Sequence, residues 1–222
     1  MGLKRNKITL FYEGRKYILE NSENLLRRAT ETLNILEKQR EIFDDLIKNL
    51  NILEITKMVS VVDVCSVLQR IEVIIKMTDT MKRYLTELGN QGIIIRMRVR
   101  ELSKDIEAIE ENIIRDYSDK PANTKKILST VTFEGVIDTE LLARNLFETS
   151  PDNSINPRGY RLLEKLNLTE REIKSLILYF KDFPSILDAD EIEIGKILKA
   201  KASSFKKEIE NIREQILMGK KV

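Results

Sequence analysis

The stretch from Ser60 to Gly92 decides the fold class, and it reads SVVDVCSVLQRIEVIIKMTDTMKRYLTELGNQG. Positions three or four residues apart form one mostly apolar face, which is the spacing of an amphipathic α-helix. That face consists of Val61, Cys65, Leu68, Ile71, Ile75, Thr78, Lys82 and Leu85. Ser60 and Asp63 form a loose capping box at its start, and Gly89-Asn90-Gln91-Gly92 is typical of a helix stop followed by a turn.

Two further helices are predicted, one on either side of this stretch. The first begins near Ser22, and Arg40 interrupts its apolar stripe. Its apolar positions are Ala29, Leu33, Leu36, Phe43, Ile47 and Leu50, and those of the helix after Gly92 are Val99, Leu102, Ile106, Ile109 and Ile113. Three long amphipathic helices with short connections are typical of an up-down-up bundle. We therefore predict a mainly α protein with a helical linker bundle over residues 21–120.

The N-terminal residues carry a different pattern. Apolar and polar side chains alternate between Ile8 and Tyr12, Gly14 follows in a turn, and an extended stretch resumes at Lys16. This pattern is typical of a β-hairpin with glycine at its tip, and we predict one over residues 1–20. A two-stranded hairpin alone is marginally stable in water, so it either packs on helices or forms the edge of a larger sheet.

Two shorter parts are predicted after the bundle. They are a connecting segment with short helices, residues 121–157, and a small C-terminal helical domain, residues 158–222. In that domain Thr169 is an N-cap with Glu172 at the capping-box position, and Pro184 is predicted to end the helix that they open.

The composition excludes several classes of enzyme. The chain of 222 residues has 38 basic and 36 acidic residues, a net charge of +2, and no histidine. Ser-His-Asp and Cys-His catalysis and histidine-ligated zinc are therefore excluded, and the single Cys65 excludes cysteine-rich metal sites. We expect no metal and no cofactor. No apolar run approaches the roughly 20 residues that span a bilayer, so we expect a cytoplasmic protein without a membrane partner.

Two charged clusters each allow two interpretations. Arg96, Arg98 and Arg100 form either a phosphate-binding strip or a solvated helix face with local ion pairs. The second cluster is acidic and consists of Asp188, Asp190, Glu191 and Glu193. Carboxylates bind hard cations, but the spacing fits no calcium loop, and an acidic loop ahead of a helix is the alternative.

The C-terminal tail is basic. From Lys196 onward it has eight basic and three acidic residues, whereas the whole chain nets +2. The candidate contacts to nucleic-acid phosphates are Lys196, Lys199, Lys201, Ser203, Lys206 and Lys207. An ordinary amphipathic helix with a lysine-rich solvent face explains the same composition, so both interpretations stay open.

Four short motifs, taken together in this order and spacing, resemble the DisA family of DNA integrity scanning proteins, which are bacterial diadenylate cyclases. The motifs are Val67-Leu68-Gln69-Arg70, Glu87-Leu88-Gly89-Asn90-Gln91-Gly92, Arg115-Asp116-Tyr117 and Arg158-Gly159-Tyr160-Arg161-Leu162-Leu163. The resemblance extends from Ile8 to about Asp190.

The resemblance implies a fold, a partner and a missing activity. Proteins of this family have an α/β cyclase domain, a helical linker and a C-terminal helix-hairpin-helix module that binds branched or duplex DNA, and they act in a DNA damage checkpoint. This chain resembles the last two parts, and its hairpin resembles the final strands of the cyclase domain. The family's ATP-binding motifs, Asp-Gly-Ala and Arg-His-Arg, do not occur in this sequence. No catalytic residue is therefore carried over, and no cyclase activity is expected of this chain.

The helix-hairpin-helix of that family has Gly-hydrophobic-Gly between its helices, and here it is degenerate. Either Glu193-Ile194-Gly195 or Lys199-Ala200-Lys201 occupies the motif. Glycines there let backbone N–H groups approach a phosphate, so their loss weakens DNA binding unless lysine side chains replace them. Two functions follow as hypotheses. One is a DNA-binding and spacer portion of a DisA-like protein. The other is a helical protein-protein interaction or scaffold protein that binds a homo-oligomer or another partner and no longer binds DNA.

Overall fold

The fold is mainly α-helical. The computed structural model of the protein describes residues 7–12, 15–20, 22–132, 135 and 138–220. The helices described are α1 (Ser22–Thr56), α2 (Val61–Leu88), α3 (Ile93–Leu102), α4 (Ile106–Tyr117), α5 (Pro121–Thr130), α6 (Thr139–Phe147), α7 (Tyr160–Leu163), α8 (Glu170–Phe180), α9 (Phe183–Asp188), α10 (Glu191–Leu198) and α11 (Ala202–Leu217). Short 3-10 turns cover Gly89–Gly92 and Lys199–Lys201. Across the described ranges no helix is long and apolar enough to cross a bilayer. The mainly helical class predicted from the sequence is confirmed.

Two strands precede the helices. Strand β1 (Lys7–Tyr12) pairs antiparallel with β2 (Arg15–Glu20), and Leu10 stands opposite Tyr17. Gly14, the predicted tip of the hairpin, lies outside the described residues.

The chain divides into two compact units. The first comprises Met1–Glu41 and Ile74–Lys104, and the second comprises Ile42–Val73 and Asp105–Val222. Buried apolar side chains of the first unit include Leu25, Ala29, Leu36, Met81, Leu85 and Val99. They recur at helical spacing, because one face of each amphipathic helix is apolar. The sequence analysis predicts domain boundaries after residues 20, 120 and 157. These boundaries stay a prediction.

The expected third helix is interrupted, which corrects the prediction of one continuous element. α3 ends at Leu102, and α4 begins only at Ile106. Asp105 has a φ of 64°, a left-handed conformation that aspartate tolerates better than most residues. Nη1 of Arg40, the residue that interrupts the stripe of α1, donates hydrogen bonds to the carbonyl oxygens of Leu102 at 3.0 Å and Lys104 at 3.2 Å. Arg40 therefore satisfies carbonyl groups that the end of α3 leaves without helical partners.

The second unit has a core formed by the C-terminal helices and the end of α1. Its buried side chains include Ile55, Leu163, Leu176, Phe183, Ile194, Phe205 and Ile209. α8, α10 and α11 each contribute residues at helical spacing to this core. Removal from water of these contiguous apolar side chains is the main force that holds the small helices together.

Side-chain caps define the start of four helices of the second unit, α6, α8, α9 and α10. The predicted capping box of Thr169 and Glu172 at the start of α8 is confirmed. The expectation that Pro184 ends this helix is wrong, because α8 ends at Phe180 and Lys181 follows with a φ of 73°. Pro184 instead stands in the first turn of α9, where a helix needs no N–H group from that residue.

Candidate nucleic-acid interface

The basic tail forms two helices joined by a tight turn. Asp190 opens α10 with a capping box: its side chain accepts from the Glu193 N–H at 2.7 Å, and the Glu193 side chain accepts from the Asp190 N–H at 3.2 Å. α10 then runs to Leu198, and its buried Ile194 packs in the C-terminal core. Of the two alignments left open by the sequence, Lys199-Ala200-Lys201 therefore lies between the helices, and Glu193-Ile194-Gly195 lies inside α10.

The turn keeps a glycine-like backbone although it contains no glycine. Lys199 has φ 50° and ψ −121°, a combination that L-residues with a side chain rarely adopt. Glycine adopts positive φ without steric cost, so a lysine at this position is strained where a glycine would not be. Here the lysine side chain is exposed, so the strain is confined to the backbone.

The N-terminus of α11 has no side-chain cap. In the preceding helices, Thr169, Asp182 and Asp190 each accept a hydrogen bond from a backbone N–H of the first turn. The N-cap residue of α11 is Lys201, which makes no such bond. The first amide groups of a helix lack intrahelical partners and form a favourable site for an anion. The Ala202 N–H already donates to the carbonyl oxygen of Lys199 in the preceding 3-10 turn, so the amide groups that follow it are the ones left for a phosphate group.

Two of the six candidate contact residues are engaged within the protein. Lys201 pairs with Glu172 at 2.8 Å, and this hydrogen bond, together with those from Thr169, lowers the pKa of Glu172 to about 2. Nζ of Lys206 donates to the carbonyl oxygen of Ala189 at 2.6 Å and to that of Leu187 at 3.3 Å. Lys206 thus satisfies carbonyl groups at the end of α9 and is half-buried.

The other four candidates are exposed, and their side chains make no hydrogen bond or ion pair within the described ranges. They are Lys196 on α10, Lys199 in the turn, and Ser203 and Lys207 on α11. Ser203 and Lys207 are four residues apart, so they lie on the same face of α11. The structure therefore separates the predicted set into two residues with internal partners and four that are available to a ligand.

The acidic cluster in front of this element serves the fold. Asp188 pairs with Lys57, and Asp190 and Glu193 form the capping box of α10. Among the described residues, no group of three or more Asp, Glu, Cys or His side chains has an arrangement that could hold a metal ion. The geometry therefore matches the interpretation of an acidic segment that caps a helix.

The sequence analysis missed a buried junction, although two of its motifs contain it. The Asp116 carboxylate, from the motif Arg115-Asp116-Tyr117, accepts hydrogen bonds from the N–H groups of Gly159 at 2.8 Å, Tyr160 at 2.5 Å and Arg161 at 3.1 Å. These amides begin α7, so a residue at the end of α4 caps a helix that begins more than 40 residues later in the chain. The sequence shows that both motifs are present in one chain, but it does not show that they contact each other.

Charged groups surround this cap in the interior. The Arg161 guanidinium pairs with the Glu54 carboxylate at 2.5 Å and also donates to Asn51, and the Tyr117 hydroxyl donates to Glu54 at 2.5 Å. All of these side chains are buried. Burial and the nearby Glu54 raise the pKa of Asp116 to about 7, and the contacts with Arg161 oppose that shift.

A second layer of contacts strengthens the junction at its surface. Arg158 donates hydrogen bonds to the carbonyl oxygens of Arg115 at 3.0 Å and Ser118 at 2.7 Å, and it pairs with Asp119 at 2.5 Å. The Arg115 guanidinium lies 4.2 Å from the centre of the Tyr160 ring. Both motifs therefore act together to attach the C-terminal helices to α4.

The chain is similar to DNA integrity scanning proteins. Residues 19–149 match the family described as the DisA bacterial checkpoint controller linker region. The DNA integrity scanning protein DisA of Clostridium botulinum strain Alaska E43 is 33% identical over 229 residues, and that of Clostridioides difficile strain 630 is 30% identical over 233 residues. The DisA protein of Clostridium acetobutylicum is 31% identical over 229 residues.

The similarity covers nearly all of this chain but only part of its relatives. Each of these alignments includes 99% of the chain and 64% or 65% of the relative's length. The family match falls on the linker region, which is one part of these proteins. More than half of the chain matches this single family, and the chain therefore belongs to the DisA family, of which it contains the linker and C-terminal part.

Proposed function

We propose that this chain is the spacer and DNA-contacting portion of a DisA-like scanning protein, and that it binds DNA phosphates at the turn between α10 and α11. The observation that carries the proposal is the uncapped N-terminus of α11, flanked by the exposed Lys199, Ser203 and Lys207. Its relatives are described as DNA integrity scanning proteins, which supports DNA as the partner.

Two kinds of donor would act on the phosphate. Backbone N–H groups at the start of α11 would bind its oxygen atoms, as helix N-termini commonly do. Ammonium groups of Lys196, Lys199 and Lys207 would neutralise the backbone charge without reading the bases. Three engaged lysines imply a slope of log affinity against log salt of roughly −3, and binding independent of sequence.

The spacer role rests on the junction around Asp116. Because the Asp116 carboxylate caps α7 and Arg161 pairs with Glu54, the C-terminal helices are attached to α4 by buried contacts rather than by a loose connection. Buried networks whose members are hydrogen-bonded restrict motion. We infer that the linker holds the DNA-binding turn in a defined orientation relative to α4. We expect this chain to form no cyclic di-AMP when it is incubated with ATP and magnesium or manganese.

The test is a binding titration with a labelled four-way junction and a duplex of the same length, at about 50 mM and about 200 mM salt. The variant Lys199→Gln/Lys207→Gln should lose most of the affinity at low salt. The control Lys126→Gln/Lys165→Gln removes the same charge from exposed lysines elsewhere in the second unit and should bind like the unmodified chain. Equal losses in both variants, or no binding at low salt, would contradict the proposal.

A further variant separates the two kinds of donor. Lys199→Gly removes the same ammonium group as Lys199→Gln but relieves the strained backbone at φ 50°. If the amide groups of α11 contribute to binding, Lys199→Gly should bind DNA more tightly than Lys199→Gln. Equal affinities would show that only the side-chain charge matters.

Exposed apolar side chains favour the second hypothesis, a protein-protein interaction role. Leu178 is 85% exposed and Ile192 is 77% exposed, and Tyr179 is also exposed. Apolar side chains at a surface are common singly and become informative when they form a patch. In this case the chain should form a defined oligomer in light scattering after gel filtration, and Leu178→Lys should return it to a monomer.

A further inference from the structure

The arginine-rich strip noted in the sequence borders a cavity in the first unit. The cavity has a volume of about 420 Å³ and lies between α2 and α3. Three cationic side chains and three hydroxyl side chains contribute to its lining: Lys82, Arg96, Arg100, Thr78, Thr86 and Ser103. Thr78, Lys82 and Thr86 follow one another at intervals of four residues on α2. Arg96 and Arg100 are four residues apart on α3, and Ser103 follows its last residue, so each helix presents one face to the cavity.

The three arginines of the strip, which the sequence allowed as phosphate ligands or as part of a solvated face with ion pairs, have different surroundings in the structure. Arg98 pairs with Glu37 at 2.7 Å and with Glu101 at 2.8 Å, as expected of a solvated face with local ion pairs. Arg96 and Arg100 instead line the cavity, and no carboxylate is among the lining residues described. Lys82 pairs with Asp79 at the exposed rim, at 2.8 Å. The cavity therefore carries an excess of positive charge.

Two lining side chains carry hydrogen-bond donors that an anion can use. Nη2 of Arg96 donates to the carbonyl oxygen of Leu85 at 2.9 Å, which holds the guanidinium in position and leaves its other N–H groups available. Thr78 is 6% exposed, and its hydroxyl is buried without a hydrogen-bond partner. The hydroxyls of Thr86 and Ser103 already donate to backbone carbonyls. A rotation about χ1 of Thr78 exchanges its methyl and hydroxyl groups, so this hydroxyl is the donor that a ligand can recruit.

We propose that this cavity binds a small molecule that carries a phosphate group, held by Arg96 and Arg100. Arginine binds phosphate oxygen atoms in a bidentate manner, and two arginines with no carboxylate among the described lining residues match a ligand with two or more negative charges. The volume is within the range of small-molecule sites. Leu85 and Val99 add an apolar wall that suits the uncharged part of such a ligand.

The experiment is a calorimetric titration of the full chain with inorganic pyrophosphate at constant ionic strength. The unmodified chain should bind in a saturable manner, and Arg100→Gln should weaken the affinity roughly tenfold or more, since a charge-assisted hydrogen bond is lost. Arg83→Gln is the matched control, because Arg83 is exposed on α2 and does not line the cavity. It should bind within about twofold of the unmodified chain.

A second variant separates a ligand contact from a structural role. Thr78→Val removes the unpartnered buried hydroxyl, so it should raise the melting temperature of the ligand-free chain and weaken pyrophosphate binding. A residue with a structural role alone would change only the melting temperature. The absence of saturable heat, equal losses in Arg83→Gln and Arg100→Gln, or unchanged affinity in Thr78→Val would overturn the proposal.

The two proposals, phosphate binding in the cavity and DNA binding at the turn, can be tested independently of each other. Pyrophosphate binding should be unchanged in Lys199→Gln/Lys207→Gln, and binding of the four-way junction should be unchanged in Arg100→Gln. If a DNA duplex displaces pyrophosphate from the unmodified chain, the proposal of a small-molecule ligand is wrong. The cavity would then bind a phosphate group of a nucleic acid.

Discussion

Replacement of Gly159 by alanine should strongly destabilise the second unit. Gly159 has a φ of 102°, and its N–H donates to the buried Asp116 carboxylate at 2.8 Å. A Cβ atom added here would lie 2.7 Å from Cδ2 and 3.0 Å from Cβ of Phe183, whose side chain is 1% exposed. The ring is enclosed by the core and has little room to move away.

The magnitude follows from two contributions. The left-handed backbone is unfavourable for alanine by about 1–2 kcal/mol. Forcing Phe183 or the backbone at Gly159 to shift adds about 1–3 kcal/mol, as overpacking a core does. The lower entropy of the unfolded alanine chain offsets about 0.4–1 kcal/mol of this. We therefore expect the free energy of unfolding to fall by about 1–5 kcal/mol.

Gly219→Ala is the matched control. Gly219 also has a positive φ, 70°, but no atom lies within 4 Å of its added Cβ, so only the backbone contribution remains. Urea unfolding followed by far-UV circular dichroism measures both variants against the unmodified chain. If Gly159→Ala destabilises the protein no more than Gly219→Ala does, the close approach to Phe183 is not the reason that glycine is required here.

Two further predictions concern buried charge. Arg161→Met leaves the Glu54 carboxylate buried without a cation, so the free energy of unfolding should fall by about 3–5 kcal/mol in urea titrations. Arg161→Met/Glu54→Leu should recover much of this loss, and an additive loss in the double variant would contradict the reasoning. Burial and the adjacent Glu72 raise the pKa of Glu110 from 4.5 to about 7, so the folded state holds the proton more tightly than the unfolded state does. Stability should therefore decline as pH rises from 4.5 to about 7 and then level off. In thermal unfolding across this range, Glu110→Gln should make the decline shallower by roughly 2 kcal/mol, and an unchanged profile would refute the assignment to this carboxyl group.

The helical faces were predictable because they are local properties of the sequence. Phe43, Leu68 and Ile113 were placed on apolar stripes by their spacing alone, and all three are buried. Membership of the DisA family, inferred from four short motifs, is confirmed by the match over residues 19–149. The capping box at Thr169 was predictable for the same reason, since its two residues are three positions apart.

The break between α3 and α4 was not predictable from periodicity. The apolar spacing continues through it, and the group that satisfies the end of α3 is Arg40, whose bond to the Leu102 carbonyl crosses 62 residues of sequence. The partners of the candidate lysines could not be predicted from the sequence either. Their composition does not reveal that Lys201 pairs with Glu172 or that Lys206 satisfies carbonyl groups of α9, whereas Lys199 and Lys207 project without partners.

The sequence by itself determined that the protein is mainly helical, lacks the histidine-dependent chemistries and resembles one family, because apolar spacing and residue types are present in the unfolded chain. Only the tertiary structure decided which polar groups meet. The Asp116 carboxylate finds the amide of Gly159 43 residues later in the chain, and the cavity at Arg96 and Arg100 exists only where α2 and α3 pack. Such contacts depend on how helices pack, and neither spacing nor composition specifies that packing.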